Sequence, residues 1–313
     1  MSFSLKKYKN VTYDQSSAYP FHELNEAEFL IGVFKQLRAV MADEFFKWHF
    51  YIISSHDSAV VPESAALDEP NKILIFISDE FGEVNAGLGA NYDFIFKSYI
   101  TSDYAAHKTY SFPLGYVRGF SGNDGLAVQK RDINIYFSGN LNKNRVALYR
   151  QFARIPKYLS DDIFFYSAKL GSKVGVDVVT RSFYDKERNE HIFFSNKFKG
   201  GVTLQRYSTA LSNSKIVLCP KGFHSVETFR HMEALRSGCI VISEKLPNTL
   251  WYRNSPIIQV DNWDMGLRTA RDLINKPDAL KELSHRSSKW WKSVCSEPAV
   301  ANYMAGTLCQ QQS

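Results

Sequence analysis

The chain has 313 residues, of which 44% are hydrophobic and 22% charged, a balance that excludes a disordered or fibrous protein and suffices for two ordinary α/β domains. Its 38 Lys and Arg against 32 Asp and Glu leave a net charge of +6, a mild excess that suits phosphorylated ligands or an anionic membrane surface and does not demand nucleic acid, for which no basic block or RNA-binding aromatic signature is present. No apolar run approaches the ~20 residues that span a bilayer. The polar, basic start Met1–Asn10 has no signal-peptide core behind it, so a cytoplasmic protein is expected. Lys6, Lys7 and Lys9 could touch the inner face of a membrane, although three lysines on a tail are usually a solvated end.

In chain order, residues 26–43 carry Phe29, Leu30, Val33, Phe34, Leu37, Val40 and Met41 at the spacing of an amphipathic helix. Short β-branched or aromatic runs at 49–54, 72–78, 92–96 and 109–114, with turn residues between, predict the strands of a first α/β domain. The stretch 115–132 is rich in turn formers, including Gly119, Ser121, Gly122, Asn123, Asp124 and Gly125, and places a domain boundary near residue 125. The expected domains are 1–125 and 126–275, with a C-terminal helical segment 276–313 packing back towards the first.

The second half predicts strand 133–137, helix 143–152, strand 163–167, helix 203–212, strand 215–219, helix 226–237, strand 239–243, a short strand 257–260 and two closing helices. Alternation of this kind implies a parallel sheet with right-handed crossovers, in which ligands bind beyond the carboxyl ends of the strands, where helix N-termini favour anions.

Residues 215–247 are the most informative: a strand, a Pro/Gly loop, a helix, a glycine stop and a second strand. Pro220 ends the first strand and Gly222 permits an unusual turn, while Lys221 and the helix start near Ser225 gather cationic and N–H donors at one point, which suits a diphosphate. On a helical wheel, Val226, Phe229, Met232 and Leu235 form a core stripe, with Glu233 between Val226 and Phe229 in angle. A carboxylate there needs a partner: a ligand hydroxyl, a backbone N–H or Arg230. The plainer reading is an exposed ladder from Glu227 through Arg230 to Glu233, worth about 0.2–0.5 kcal/mol per pair.

Cys219, Pro220, Lys221 and Gly222, then Thr228, Phe229, Arg230, Glu233, Ala234 and Leu235, then Gly238, Cys239 and Ile240, make a segment that resembles the nucleotide-sugar-binding half of exostosin-like (GT47-type) glycosyltransferases of the GT-B fold. Tyr207, Leu211, Ser214 and Lys215 look like the lead-in of that group, and Leu246 with Pro247 like its post-strand turn. The match covers about 45 residues; further upstream only Ile135 to Asn140 and Arg145 are similar. The resemblance implies an α/β protein of GT-B type, two Rossmann-like domains facing across a cleft. It further implies a nucleotide-diphosphate sugar held mainly by the second domain, a glycan or lipid-linked glycan acceptor held mainly by the first, and no obligatory metal or other cofactor. Carried over by position, Glu233 binds the donor ribose or sugar. Lys221, Arg230 and the helix start, with Gly222, Ser225, Glu227 and Thr228, meet the leaving diphosphate; Ser138, Gly139 and Asn140 line its phosphate side, with Arg145 adding charge. Serine and glycine before a helix are also ordinary turn chemistry. The lack of a membrane anchor and lumenal cysteines points to a bacterial-type enzyme of surface polysaccharide synthesis, such as O-antigen, capsule or lipopolysaccharide.

For the acceptor, a hydroxyl attacking with inversion needs a nearby base. Asp79, Glu80 and Glu83, just beyond strand 72–78, are the best-placed acids, with His56 and Asp57 second and Arg118 a further charge; an acidic surface loop is often only solvated. His191 and His231 lack metal spacing, there is no Asp-x-Asp, and 121–125 is not a P-loop, since no Gly-Lys-Ser/Thr follows. Cys219, Cys239, Cys295 and Cys309 read as small thiols outside disulfides, and Trp290 and Trp291 as packing anchors. The competing readings are a nucleotide-sugar epimerase of the same fold and a non-catalytic glycan- or nucleotide-binding subunit.

Overall fold

The computed structural model describes residues 8–83, 85–102, 108–122, 126–156, 158–197 and 200–309. Lys6, Lys7 and Asn123, Asp124 and Gly125, named above, lie outside that set. The chain divides into two compact units: Met1–Gly119 with Pro247–Arg253 and Lys292–Ser313, and Phe120–Leu246 with Asn254–Trp291. The first division thus falls between Gly119 and Phe120 rather than at residue 125.

The first unit is built on five strands, β1 (Val11–Tyr13), β2 (His49–Ser54), β3 (Lys72–Ile77), β4 (Phe94–Lys97) and β5 (Thr109–Ser111), all parallel and adjacent in chain order. Both faces of this sheet are covered, so β3 reads as an unbroken apolar run rather than an alternating one. On one face helix α1 (Ala27–Met41) buries Phe29, Leu30, Val33, Phe34 and Leu37. Phe34 meets Phe50 of β2 edge-on at 5.4 Å, and Phe45 stacks on the same ring at 5.2 Å. The other face buries Tyr51, Ile53, Leu74, Phe76 and Ile95 under Leu88 and Tyr92. Strand β1 was not legible in the sequence because three residues carry no period.

The second unit has six strands: β6 (Ile133–Asn140), β7 (Arg181–Asp185), β8 (Glu190–Ser195), β9 (Ser214–Cys219), β10 (Ile240–Ser243) and β11 (Ile258–Gln259). Their order is β11-β10-β9-β6-β8-β7, parallel except for the antiparallel edge pair β7–β8. Helices α2 (Val146–Arg150), α3 (Asp161–Lys173), α4 (Leu204–Ser212), α5 (Phe229–Arg236), α6 (Trp263–Ile274) and α7 (Pro277–Trp290) complete it. Strand β6 has later strands on both sides, β8 and β9, so the sheet order turns at its carboxyl end, the place where open α/β sheets bind ligands.

Two expectations are corrected here. Residues 163–167 belong to α3, not to a strand: Ser160 caps the helix by accepting from the Ile163 amide at 3.3 Å, and Asp161 and Asp162 complement the dipole. Only Phe164, Phe165 and Ala168 turn to the core, a helical spacing. The missing strand is supplied by the β7–β8 hairpin, whose turn is set by Asp185 accepting from the amides of Glu187 and Arg188, both at 3.0 Å. The second correction concerns the C-terminus. Helix α7 stays with the second unit, and the chain passes to the first only at a π-helical turn over Trp291–Cys295, after which α8 (Glu297–Cys309) packs along α1.

Gly115 shows how closely the first unit is packed. Its φ is +69°, and a Cβ there would lie 2.3 Å from ring carbons of the fully buried Phe29. Gly115→Ala should therefore cost about 2–4 kcal/mol from backbone strain and overpacking together, read as a lowered midpoint in urea or thermal unfolding.

Candidate functional site

At the carboxyl ends of β6 and β9, three loops of the second unit meet. The loop after β6 is held by Asn142, whose side-chain oxygen accepts from the Arg145 amide at 3.1 Å. Arg145 is buried, and its guanidinium donates to the Asn140 carbonyl and side-chain oxygen, both at 2.9 Å, and to the Lys221 carbonyl at 3.0 Å. Asn144 donates to the Gly222 and Phe223 carbonyls at 2.7 and 3.0 Å. The loop after β9 is thereby fastened to the loop after β6. Glu244, which directly follows β10, accepts from the Lys221 amide at 2.7 Å and from the Trp263 indole at 2.7 Å; burial pushes its carboxyl up from the ordinary range.

Helix α5 starts at Phe229, not 226, because Thr228 caps it in a reciprocal box with His231. The fully buried His231 ring also lies 2.8 Å from the Ser243 hydroxyl, and burial holds its pKa down at about 3, so it is a neutral cap. Val226 consequently lies outside the helix. Gly222 donates to the Ser225 carbonyl at 2.8 Å and the Ser225 hydroxyl accepts from the Glu227 amide at 3.1 Å, which gives the loop its shape.

Arg230 projects from the first turn of α5 towards Gly139. Its Nη2 donates to the Ser138 carbonyl at 2.5 Å, its guanidinium lies 4.8 Å from the centre of the Phe137 ring, and its buried Nε and Nη1 have no hydrogen-bond partner among the described residues. A Cβ at Gly139 would sit 3.0 Å from Arg230 Nη2 and 3.2 Å from Arg145 Nη1. Two guanidinium groups therefore close on one backbone position that a Cβ would crowd, and two buried donors lack an acceptor among the described residues. An oxyanion is the kind of group that accepts from such donors.

Glu233 is buried, and the Tyr207 hydroxyl donates to its Oε2 at 2.7 Å. Because it is buried, the exposed ladder does not describe it. Tyr207, part of the lead-in motif, is the partner; its own pKa is pushed well up by burial and by Glu233. Ser138 is buried, whereas Asn140, Lys221, Ser225 and Thr228 are half-exposed at the same strand ends, and Glu227 is buried beside them.

The acids expected in the first unit separate. Asp79 is fully buried, ion-paired to Lys97 at 2.6 Å, and accepts from the Phe81 amide at 3.1 Å. Both its oxygens are taken up in holding its loop, so it is a structural ion pair rather than an open base. Glu83 accepts from the Ser58 hydroxyl at 2.9 Å and is exposed, while Glu80 is half-exposed. A different carboxylate stands at the ends of β2 and β3. Glu26 is buried and takes a long 3.4 Å hydrogen bond from Ser78, whose hydroxyl is 2.9 Å from that of Ser54. Ser78 has a left-handed backbone, φ +72°, and its carbonyl lies 2.8 Å from His56 Nδ1, with the Tyr19 hydroxyl 3.3 Å from Nε2. Burial raises the Glu26 pKa to about 7. Sequence reasoning missed Glu26 because an acid ahead of a helix reads as a solvated N-terminal charge, and it missed Glu244, although that residue follows a strand as Asp79 does.

Cys219, Cys239 and Cys295 are buried free thiols and Cys309 is an exposed one. Among the described residues, no three His, Cys, Asp or Glu side chains gather as a metal-ligand set, and no helix is long and apolar enough to cross a membrane.

No protein-family model and no curated protein matches the sequence. Solved structures give weak likenesses. TarM aligns with TM-score 0.47 and 11% identity over 88% of this chain and 57% of its own, so the chain spans little more than half of TarM. Sucrose-phosphate synthase from Thermosynechococcus elongatus aligns with TM-score 0.42 and 11% identity over 96% of this chain and 82% of its own. AviGT4, a glycosyltransferase involved in avilamycin A biosynthesis, aligns with TM-score 0.42 and 12% identity over 95% and 96%.

Because the fold raises the Glu26 pKa, it favours the protonated acid. That contribution is fully present below the ordinary glutamate pKa and is lost as pH rises through about 7. Glu26→Gln should thus be more stable than the parent at pH 8, by up to about 3 kcal/mol, and gain nothing at pH 4, in paired denaturant titrations.

Proposed function

We propose that the protein is a metal-independent glycosyltransferase of the GT-B type, related to the exostosin-like group, that moves a sugar from a nucleotide-diphosphate donor to a glycan acceptor of a bacterial surface polysaccharide. The observation that carries this reading is Arg230, with two buried donors unsatisfied beside Gly139, next to Arg145 and Lys221 at the turning point of the sheet. The donor diphosphate lies against Gly139 and the α5 start, and the Tyr207–Glu233 pair sits behind it as the contact for a donor hydroxyl. Ser138, Asn140 and Thr228 border the same anion. Arg145 acts as a positioning group, because its hydrogen bonds hold the two loops together.

The acceptor is held by the first unit. Its hydroxyl oxygen attacks the anomeric carbon, the bond from that carbon to the diphosphate oxygen breaks, and the acceptor proton passes to a general base, the role for which Glu26 is the first unit's candidate. Arg230 and Lys221 neutralise the charge that develops on the leaving diphosphate. Glu26 suits this role better than Asp79, Glu80 or Glu83 because its pKa of about 7 leaves it ready both to take and to release a proton near neutrality.

A thermal-shift panel of UDP, GDP, CDP, TDP and their sugars tests the donor site. One nucleotide should raise the melting temperature, EDTA should leave the shift unchanged, and Arg230→Gln should abolish it, since a ligand that binds only the folded state must stabilise it. Failure of every nucleotide to stabilise the parent would end the donor reading. Once a donor and acceptor are in hand, kcat/KM should rise between pH 6 and pH 8 and flatten in Glu26→Gln with a loss of at least about 100-fold, whereas Glu80→Gln and Glu83→Gln should stay within a few-fold of the parent.

A further inference from the structure

Helix α3 is apolar on two opposite faces. One face, Phe164, Phe165 and Ala168, packs on the core of the second unit. The other carries Ile163, Tyr166, Leu170 and, at the C-cap, Val174, at intervals of three and four residues and 55%, 61%, 66% and 73% exposed. The exposed stripe does not end with the helix. Val176 and Val178 continue it in the loop that follows, each more than half exposed, and Tyr158, two residues before the cap, is 90% exposed. Seven large apolar side chains within 21 residues of sequence are thus left in water, whereas the other exposed ones described in that unit, Leu126, Tyr184, Val202 and Phe223, are scattered singly along the sequence.

The charges around this face have one sign left over. The acids at the start of α3 are neutralised, Asp161 by Arg150 and Asp162 by Lys143 at 3.1 Å. Asp177 in the loop directs its oxygens to the Thr180 hydroxyl at 2.6 Å and to the amides of Val179 and Thr180. Lys169 and Lys173 flank the stripe along one side of the helix; the Lys169 ammonium donates to the Asn196 carbonyl at 3.2 Å, and Lys173 has no ion-pair partner among the described residues. Between residues 143 and 199 the sequence carries twelve Lys and Arg against six Asp and Glu, an excess as large as that of the entire chain.

We propose that this face of α3 and the 174–178 loop dock on an anionic lipid surface. An apolar stripe of aliphatic residues and tyrosine, flanked by lysines whose long stems let the ammonium reach a headgroup, is the pattern of a helix lying in a membrane interface. Protein interfaces, by contrast, are depleted in lysine. The helix buries Ile163, Leu170 and the valines at acyl-chain depth, the tyrosines lie at the level of the headgroups, and Lys173 meets the lipid phosphates. The inference stands on α3 alone and does not depend on the donor site.

Flotation of the full chain with vesicles of phosphatidylcholine, and of phosphatidylcholine mixed with phosphatidylglycerol, tests it. The protein should float with the mixed vesicles, not with phosphatidylcholine alone, and release as salt is raised. The variant Tyr166→Ser/Leu170→Ser/Val174→Ser should bind at least about tenfold more weakly with an unchanged circular dichroism spectrum and melting temperature, and Lys173→Glu should weaken binding without touching the apolar stripe. Failure of the parent to float, equal binding to both vesicle types, or undiminished binding by a folded triple variant would overturn the proposal. So would a lipid-free dimer that the triple variant converts to monomer in sedimentation, because the face would then belong to a second copy of this chain.

Discussion

The buried guanidinium of Arg145 ties the second unit together at its working end. Burying such a charge costs several kcal/mol unless its donors are met, and they are met by acceptors from two different segments, Asn140 at the end of β6 and Lys221 after β9. Those strands are neighbours and parallel, so both loops leave the sheet at the same edge. Glu244 extends the arrangement to the next strand by holding the Lys221 amide. Three adjacent strand ends are fixed relative to one another by hydrogen bonds, and the open backbone at Gly139 lies among them.

Against that rigid frame, buried charge in each unit is of two kinds. Asp79 and Lys97 satisfy one another in the first unit, and the Lys97 ammonium also lies 4.1 Å from the centre of the Phe76 ring. Arg271 likewise takes both oxygens of the buried Glu190 in the second, at 2.7 and 2.9 Å. Such pairs are complete and ask for no ligand. Arg230 is incomplete, with two buried nitrogens short of acceptors, and Glu26 is a buried carboxylate with one long hydrogen bond from Ser78. A folded chain carries groups in that condition at a cost, which a bound anion or a transferred proton relieves.

Much of the fold was legible because sheets covered on both faces demand unbroken apolar strands, and residues 49–54, 72–77 and 214–219 have no other reading. The Ile-Phe-Phe-Tyr run at 163 deceived for the same reason. Aromatic and β-branched residues are what strands prefer, and only the Ser160 cap and the spacing of the core contacts make it a helix. The loop from Cys219 to Gly222 was legible from its glycine, proline and lysine. The acids of the first unit were not resolved, since a carboxylate beyond a strand looks the same in sequence whether it ends in an ion pair, as Asp79 does, or in solvent, as Glu83 does.

The sequence by itself determined that the chain is two α/β units, that the loop from Cys219 to Gly222 and the helix behind it gather positive charge, and that the thiols are small groups outside disulfides. Those properties follow from local pattern: hydrophobic period, turn chemistry and charge spacing. The tertiary structure alone decided which partner each charge keeps. Arg145 and Arg230 converge on Gly139 from different elements, Glu233 turns to Tyr207, Asp79 closes on Lys97, and Glu26 is buried beneath Ser78. Each of these rests on contacts between residues far apart in the chain or on the degree of burial, and burial determines whether a charge is solvated, paired or left for a ligand.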